Sequence, residues 1–164
     1  MSIFTRTALA AALMVAAPFA SAATASDPMT VSITIVNSCT IDATDLDFGT
    51  PNTLANDIDA DTSVAVECTG AGPLSIEFST GAGTGATFAS RKMTGPAATT
   101  IDYSLYLDAA RTQALGDGTS SSVVIAGTST GGVDVFPVYG RVLGAQNPKP
   151  VGSYSDVVTA TVTF

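Results

Sequence analysis

Beyond its first two dozen residues the chain alternates apolar and polar positions in short, β-branched runs. None of these runs shows the three-and-four spacing of a long amphipathic helix. In residues 29–36, Met29, Val31, Ile33 and Ile35 alternate with Thr30, Ser32, Thr34 and Val36, and Asn37-Ser38 ends the run before Cys39. Residues 63–69 repeat the pattern through Val64, Val66 and Cys68, and Leu74, Ile76 and Phe78 follow a Gly70-Ala71-Gly72-Pro73 turn, which predicts a hairpin-connected pair. Residues 101–107 set Ile101, Tyr103, Leu105 and Leu107 on one face and Tyr106 on the other. Residues 123–125 and 133–139 predict two further strands, the second at an edge or bulge because Pro137 has no N–H to give to a ladder. In residues 157–164, Val158, Ala160, Val162 and Phe164 share one face. An apolar aromatic closing that run predicts a partner that ties the strand down. Seven or so short strands separated by turn signals predict an all-β chain, a single β-sandwich of immunoglobulin-like type.

Residues 1–22 read as a secretory signal, with Arg6 in a basic start, an apolar run over residues 8–17, and small Ala20, Ser21 and Ala22 before the predicted cleavage. The apolar run falls short of the roughly 20 residues that a membrane-spanning helix needs. Export leaves five basic residues against fourteen acidic ones, a net charge of −9. That charge argues against nucleic acid as a partner and repels anionic lipid. In an oxidising compartment Cys39 and Cys68 are expected to form one disulfide. With no histidine in the chain, two thiolates do not build a zinc shell.

Chemistry finds little purchase elsewhere. Asp57-Ile58-Asp59-Ala60-Asp61 resembles the start of a calcium loop, yet Thr62 and Cys68 stand where glycine and a bidentate glutamate are needed. The expected reading is a solvated acidic loop, with Asp42, Asp45 and Asp47 read likewise and no metal or cofactor. The run Gly81-Ala82-Gly83-Thr84-Gly85 reads as a flexible loop, because it lacks the strand-to-helix context or following lysine of a phosphate cradle. A histidine-based triad is excluded, oxidised cysteines offer no thiolate, and no carboxylate pair stands out, so neither an enzyme nor a small-molecule substrate is expected. Arg141 is expected to pair with an acid near a sheet edge, or to contact a partner.

Several motifs in order carry a resemblance. Cys39 is followed by Asp47-Phe48-Gly49, a strand ends at Cys68, and Tyr103-Ser104-Leu105-Tyr106 precedes a turn. The closing stretch has Val138-Tyr139-Gly140-Arg141-Val142, then Gln146, Gly152-Ser153-Tyr154-Ser155-Asp156, and residues 157–164. In these the chain resembles the spore coat protein U-like domain found in pilins of the archaic chaperone-usher pathway. It departs in one place: family members often carry a tryptophan-glycine pair near the middle, and here Leu115-Gly116 holds that position. The resemblance implies a sandwich lacking its final strand, filled first by a periplasmic chaperone and later by the N-terminal segment of a neighbouring subunit delivered through an outer-membrane usher.

On that reading residues 23–37 form a donor segment with Met29, Val31, Ile33 and Ile35 as its ladder. Residues 38–164 form the pilin domain, whose terminal strand with Val158, Ala160, Val162 and Phe164 borders the acceptor groove. Strand addition draws affinity from main-chain hydrogen bonds and register from alternate side-chain pockets. The same apolar alternation also fits the domain's own first strand, and the resemblance favours the donor. Head-to-tail donation does not close, so it builds an open fibre at the cell surface that supports adhesion and biofilm formation. The length favours a stalk position over a tip. The alternative is a self-contained secreted protein, spore-coat-like or an adhesive, carbohydrate-binding sandwich.

Overall fold

The computed structural model describes residues 22–164, so the expected signal over residues 1–22 lies, but for Ala22, outside the described residues. Eight strands follow in order: β1 (Cys39–Ala43), β2 (Ile58–Cys68), β3 (Ala71–Phe78), β4 (Arg91–Thr94), β5 (Thr100–Tyr106), β6 (Ile125–Thr130), β7 (Val133–Val142) and β8 (Ala160–Thr163). They form a five-stranded sheet in the order β1-β2-β7-β5-β4 and a three-stranded sheet in the order β6-β3-β8. Every strand pair within them is antiparallel. The all-β sandwich expected from the strand pattern is therefore the fold observed.

Alternation explains which faces meet. Val64, Val66 and Cys68 of β2 are buried, as are Leu74, Ile76 and Phe78 of β3, Ile101, Tyr103 and Leu105 of β5, and Val138 and Val142 of β7. Each set lies at every second position, so one side of each strand enters a shared interior and the other faces outward. Leu107, at the end of the predicted run on β5, packs against this core from a partly exposed position.

The predicted hairpin between residues 63–69 and 74–78 is not formed. β2 belongs to the larger sheet and β3 to the smaller one, and the chain crosses between sheets at Thr69 and Gly70. Their apolar sides face each other across the core, whereas in a hairpin they would lie side by side. The bend is secured from outside: Thr69 N–H donates to Ser38 O at 2.9 Å and Gly70 N–H to Asn37 Oδ1 at 3.1 Å.

Pro137 sits in β7, inside the sheet, yet its position is locally an edge. β5 pairs with β7 only over Tyr139–Val142, so opposite Pro137 there is Ser63 of β2 on one side and no β5 residue on the other. A missing N–H is harmless there. Asp57-Ile58-Asp59-Ala60-Asp61 is not an acidic loop either, because from Ile58 it is the start of β2. Asp59 faces Arg141 across the ladder, and the alternation that looked like calcium spacing is strand periodicity. The strand predicted at residues 123–125 begins only at Ile125, and the one predicted over 157–164 is narrower, at Ala160–Thr163.

Residues 22–34 form a unit of their own without a strand, in which Met29, Val31 and Ile33 are each more than four-fifths exposed. Ile35 and Val36, at the start of the larger unit, are exposed as well.

Candidate functional site

The two flanks of the sandwich differ. On one, residues 114–116 lace the sheets together: Leu115 N–H donates to Leu105 O at 2.9 Å, Gly116 N–H to Val123 O at 2.8 Å, and Phe78 N–H to Gly116 O at 3.0 Å. On the other, β1 pairs with β2 and β8 with β3, and among the described residues no ladder joins β1 to β8. Both strands therefore keep one row of backbone donors and acceptors unpaired by strand.

Beside these edges lies a cleft of about 550 Å³, which reaches β1 at its last residue and β8 at its first. Its floor is the apolar interior itself, with Val64, Phe78, Leu105 and Val138, and its walls include Ala43, which ends β1, and Val158 and Ala160 on the β8 side. A second cavity of about 510 Å³ continues it past Leu46, Phe48 and Tyr154 to Leu54 and Ile101. Of the residues expected on the terminal strand, Val158, Ala160 and Val162 pack against the core, whereas Phe164 is 53% exposed. Val158 and Ala160 are the two that line the cleft.

Cys39 and Cys68 form the expected disulfide and lie directly opposite each other in the β1–β2 register. The bond pins a five-residue edge strand that has a single ladder neighbour.

A polar cluster sits beside the floor. Arg91 on β4 is fully buried, and its guanidinium donates to Ser79 O through Nε (3.0 Å) and Nη2 (2.9 Å), to Phe88 O through Nη1 (3.0 Å), and to Leu115 O through Nη2 (2.9 Å). The guanidinium carbon also stands 5.7 Å from the Phe88 ring centroid. Burial pulls the Arg91 pKa below its ordinary value, opposed by the electrostatic influence of Tyr103 and Asp156. The Tyr103 hydroxyl donates to Asp156 Oδ2 at 2.8 Å. Burial, followed by that hydrogen bond and the nearby carboxylate charge, raises the Tyr103 pKa well above its ordinary value. A raised phenol pKa means that stability is intact below the ordinary value of about 10 and is lost as pH climbs beyond it. Urea midpoints measured across that range are expected to fall more steeply for the native chain than for Tyr103→Phe. Parallel curves would contradict this.

Among the described residues the other basic side chains are engaged too. Arg141 forms a bidentate pair with Asp59 (2.7 and 2.9 Å), as expected of it, and also approaches Asp57 at 3.5 Å. Arg111 binds Asp61 at 2.6 Å and lies over the Tyr139 ring. Lys92 pairs with Asp102 at 2.7 Å, and Lys149 donates to Thr100 O at 2.6 Å. The hydrogen bond to Arg141 is the main reason that the Asp59 pKa is depressed.

Three motif residues now have physical roles. The Gln146 amide acts as an extra strand residue for β5, accepting from Asp102 N–H and donating to Asp102 O, each at 2.8 Å. Leu115 is fully buried at the lacing point, and a Cβ on Gly116 would stand 2.4 Å from Ser122 Oγ, so only glycine fits beside it. Arg91 and the Tyr103–Asp156 bond escaped the sequence reading, since neither an isolated arginine nor two residues 53 apart leave a periodic signal.

Residues 25–161 match the protein family described as the Spore Coat Protein U domain. The chain belongs to that family. Among known proteins, Protein U of Myxococcus xanthus is 33% identical over 171 residues, covering 94% of this chain and 93% of that protein. Among solved structures, the chain resembles one from the CsuC-CsuE chaperone-tip adhesion subunit pre-assembly complex of the archaic chaperone-usher Csu pili of Acinetobacter baumannii. That likeness has a TM-score of 0.58 at 19% identity, and covers 80% of this chain and 40% of that one. The P pilus rod subunit PapA aligns at a TM-score of 0.48 and 16% identity, over 76% of this chain and 97% of that one. This family member therefore shares its immunoglobulin-like fold with a chaperone-usher pilus assembly.

Proposed function

We propose that the chain is a non-enzymatic structural subunit of a bacterial surface fibre, assembled by inserting the N-terminal segment of one copy into the β1–β8 cleft of the next. The observation that carries this reading is the cleft: two unpaired strand edges over an apolar floor. Such an opening leaves a sheet edge ready for a further strand. Residues 29–35 supply a fitting occupant, with Met29, Val31, Ile33 and Ile35 all more than four-fifths exposed. A periplasmic chaperone protects the cleft before assembly, an outer-membrane usher exports the subunits, and the fibre serves adhesion and biofilm formation at the cell surface. The chaperone step is supported by the likeness to a chain of the CsuC-CsuE complex, in which a chaperone meets a subunit before assembly. Each contact is head-to-tail and does not close, so no fixed subunit number results.

The test is the size distribution and thermal stability of the oxidised, exported protein with and without residues 23–36. Heat-resistant, high-order polymers are expected from the longer form. The shortened form should be monomeric, less stable, and stabilised by a synthetic peptide of residues 29–36. If the longer form is a stable monomer and the deletion merely unfolds it, the segment is the domain's own strand. The self-contained coat protein suggested by the family description then takes its place.

A further inference from the structure

The carboxylate of Asp156 joins three separate parts of the domain. Its Oδ1 accepts from Ala82 N–H at 2.7 Å, in the loop after β3, and from Val157 N–H at 2.8 Å, on the approach to β8. Its Oδ2 accepts from the Tyr103 hydroxyl on β5 at 2.8 Å. Tyr103 and Asp156 both line the cleft, one on the floor and one on the wall. Gly81 has φ +89°, and a Cβ there would come within 2.0 Å of Asp156 Oδ2, so the loop reaches the carboxylate only because glycine allows it.

β8 needs such an anchor. Its ladder with β3 covers four residue pairs, from Phe78 with Ala160 to Ser75 with Thr163, and its other edge faces the cleft. A short strand held from one side has little of its own to fix where it stands. Just before it, Ser79 N–H donates to Thr159 O and Thr159 N–H to Ser79 Oγ, each at 2.9 Å, and both bonds draw β8 toward β3. The approach to β8 is tied to the opposite sheet by two contacts, the Thr94–Ser155 backbone bridge to β4 (2.8 and 3.2 Å) and, next to it and across the cleft's floor, the Asp156–Tyr103 bond.

We propose that Asp156 is a positioning residue that holds the β8 wall at the distance from β5 at which the cleft captures a strand. This rests on the strand-insertion reading above. All three groups facing it donate, and because the phenol can also accept, an amide could keep these contacts, so the change that removes them is truncation to alanine.

The test uses protein exported from the full-length gene, unfolded in guanidinium with its disulfide intact and refolded at high dilution with an excess of a fluorescent peptide of residues 29–36, so that the peptide and not a neighbouring copy meets the open cleft. In Asp156→Ala the peptide is expected to dissociate roughly tenfold faster or more, the range for a hydrogen bond to a charged group. Amides of residues 160–163 should lose hydrogen-exchange protection, while those of the β2–β7 ladder keep theirs. Tyr103→Phe, which removes one of the three bonds, should give a smaller change of the same kind. Ile125→Val, a mild core deletion in β6, is the stability control and should leave peptide lifetime unaltered. Equal lifetimes and equal β8 protection in native protein and Asp156→Ala overturn the inference, as does an equal loss of lifetime in Ile125→Val. A native chain that takes up no peptide overturns the strand-insertion reading itself, and is thereby distinguished from failure of the Asp156 role alone.

Discussion

Replacing Arg91 with methionine is expected to lower the unfolding free energy by about 3–5 kcal/mol, although no carboxylate partner is lost directly. The guanidinium satisfies the carbonyls of Ser79, Phe88 and Leu115 at once, and it does so in a fully buried site. Methionine has a similar length but no donor, so the buried Leu115 carbonyl and the partly buried carbonyls of Ser79 and Phe88 lose this partner, at up to roughly 1–3 kcal/mol each. Removing the cation also removes its own burial penalty, which keeps the net loss below that sum. Arg91→Lys should recover part of the loss, since an ammonium has three donors but not the planar reach to carbonyls on three segments. Urea denaturation at neutral pH measures both variants, and a loss under about 1 kcal/mol for Arg91→Met would falsify this account of the site.

The second large effect is expected from the double replacement Cys39→Ser, Cys68→Ser. The bond closes a loop with a sequence separation of 29, which in the chain-entropy model stabilises by roughly 3–4 kcal/mol. For a domain of this size that corresponds to a fall in melting temperature of about 10–15 °C. The loss has a local signature as well. β1 is five residues long with one ladder neighbour, so amides within Cys39–Ala43 should lose exchange protection before those of β7. Native protein under reducing conditions should reproduce the double variant. A uniform loss of protection across both sheets would instead mean that the bond acts only through the unfolded chain.

What the sequence revealed follows from what periodicity can encode. β5, β7 and the second half of β2 were legible because each buries every second side chain, as Ile101, Tyr103 and Leu105 do. β4 was not, because its Arg91-Lys92-Met93-Thr94 buries a cation whose partners are carbonyls remote in sequence. β6 was displaced because Ala126-Gly127-Thr128-Ser129-Thr130 has no apolar alternation and is a strand through its backbone pairing with β3. The false hairpin shows the limit from the other side. A short link between two alternating runs does not say whether they pair edge to edge or face each other. The cleft stands at the same limit, for Val158 and Ala160 could be placed on a face but the edge left open beside them could not. That expectation came from the resemblance, and its floor of Phe78, Leu105 and Val138 is a property of the three-dimensional arrangement alone.

The place of Cys39 carries a mechanical consequence. Tension entering the domain through its N-terminal segment meets Cys39 before any other residue of β1, and Cys39 is bonded to Cys68 of β2. β2 lies between β1 and β7 and pairs with β7 over ten residues. A pull therefore cannot peel β1 away one hydrogen bond at a time from its leading end. It passes through a covalent link into the longest ladder of the sandwich, where many bonds share the load in shear.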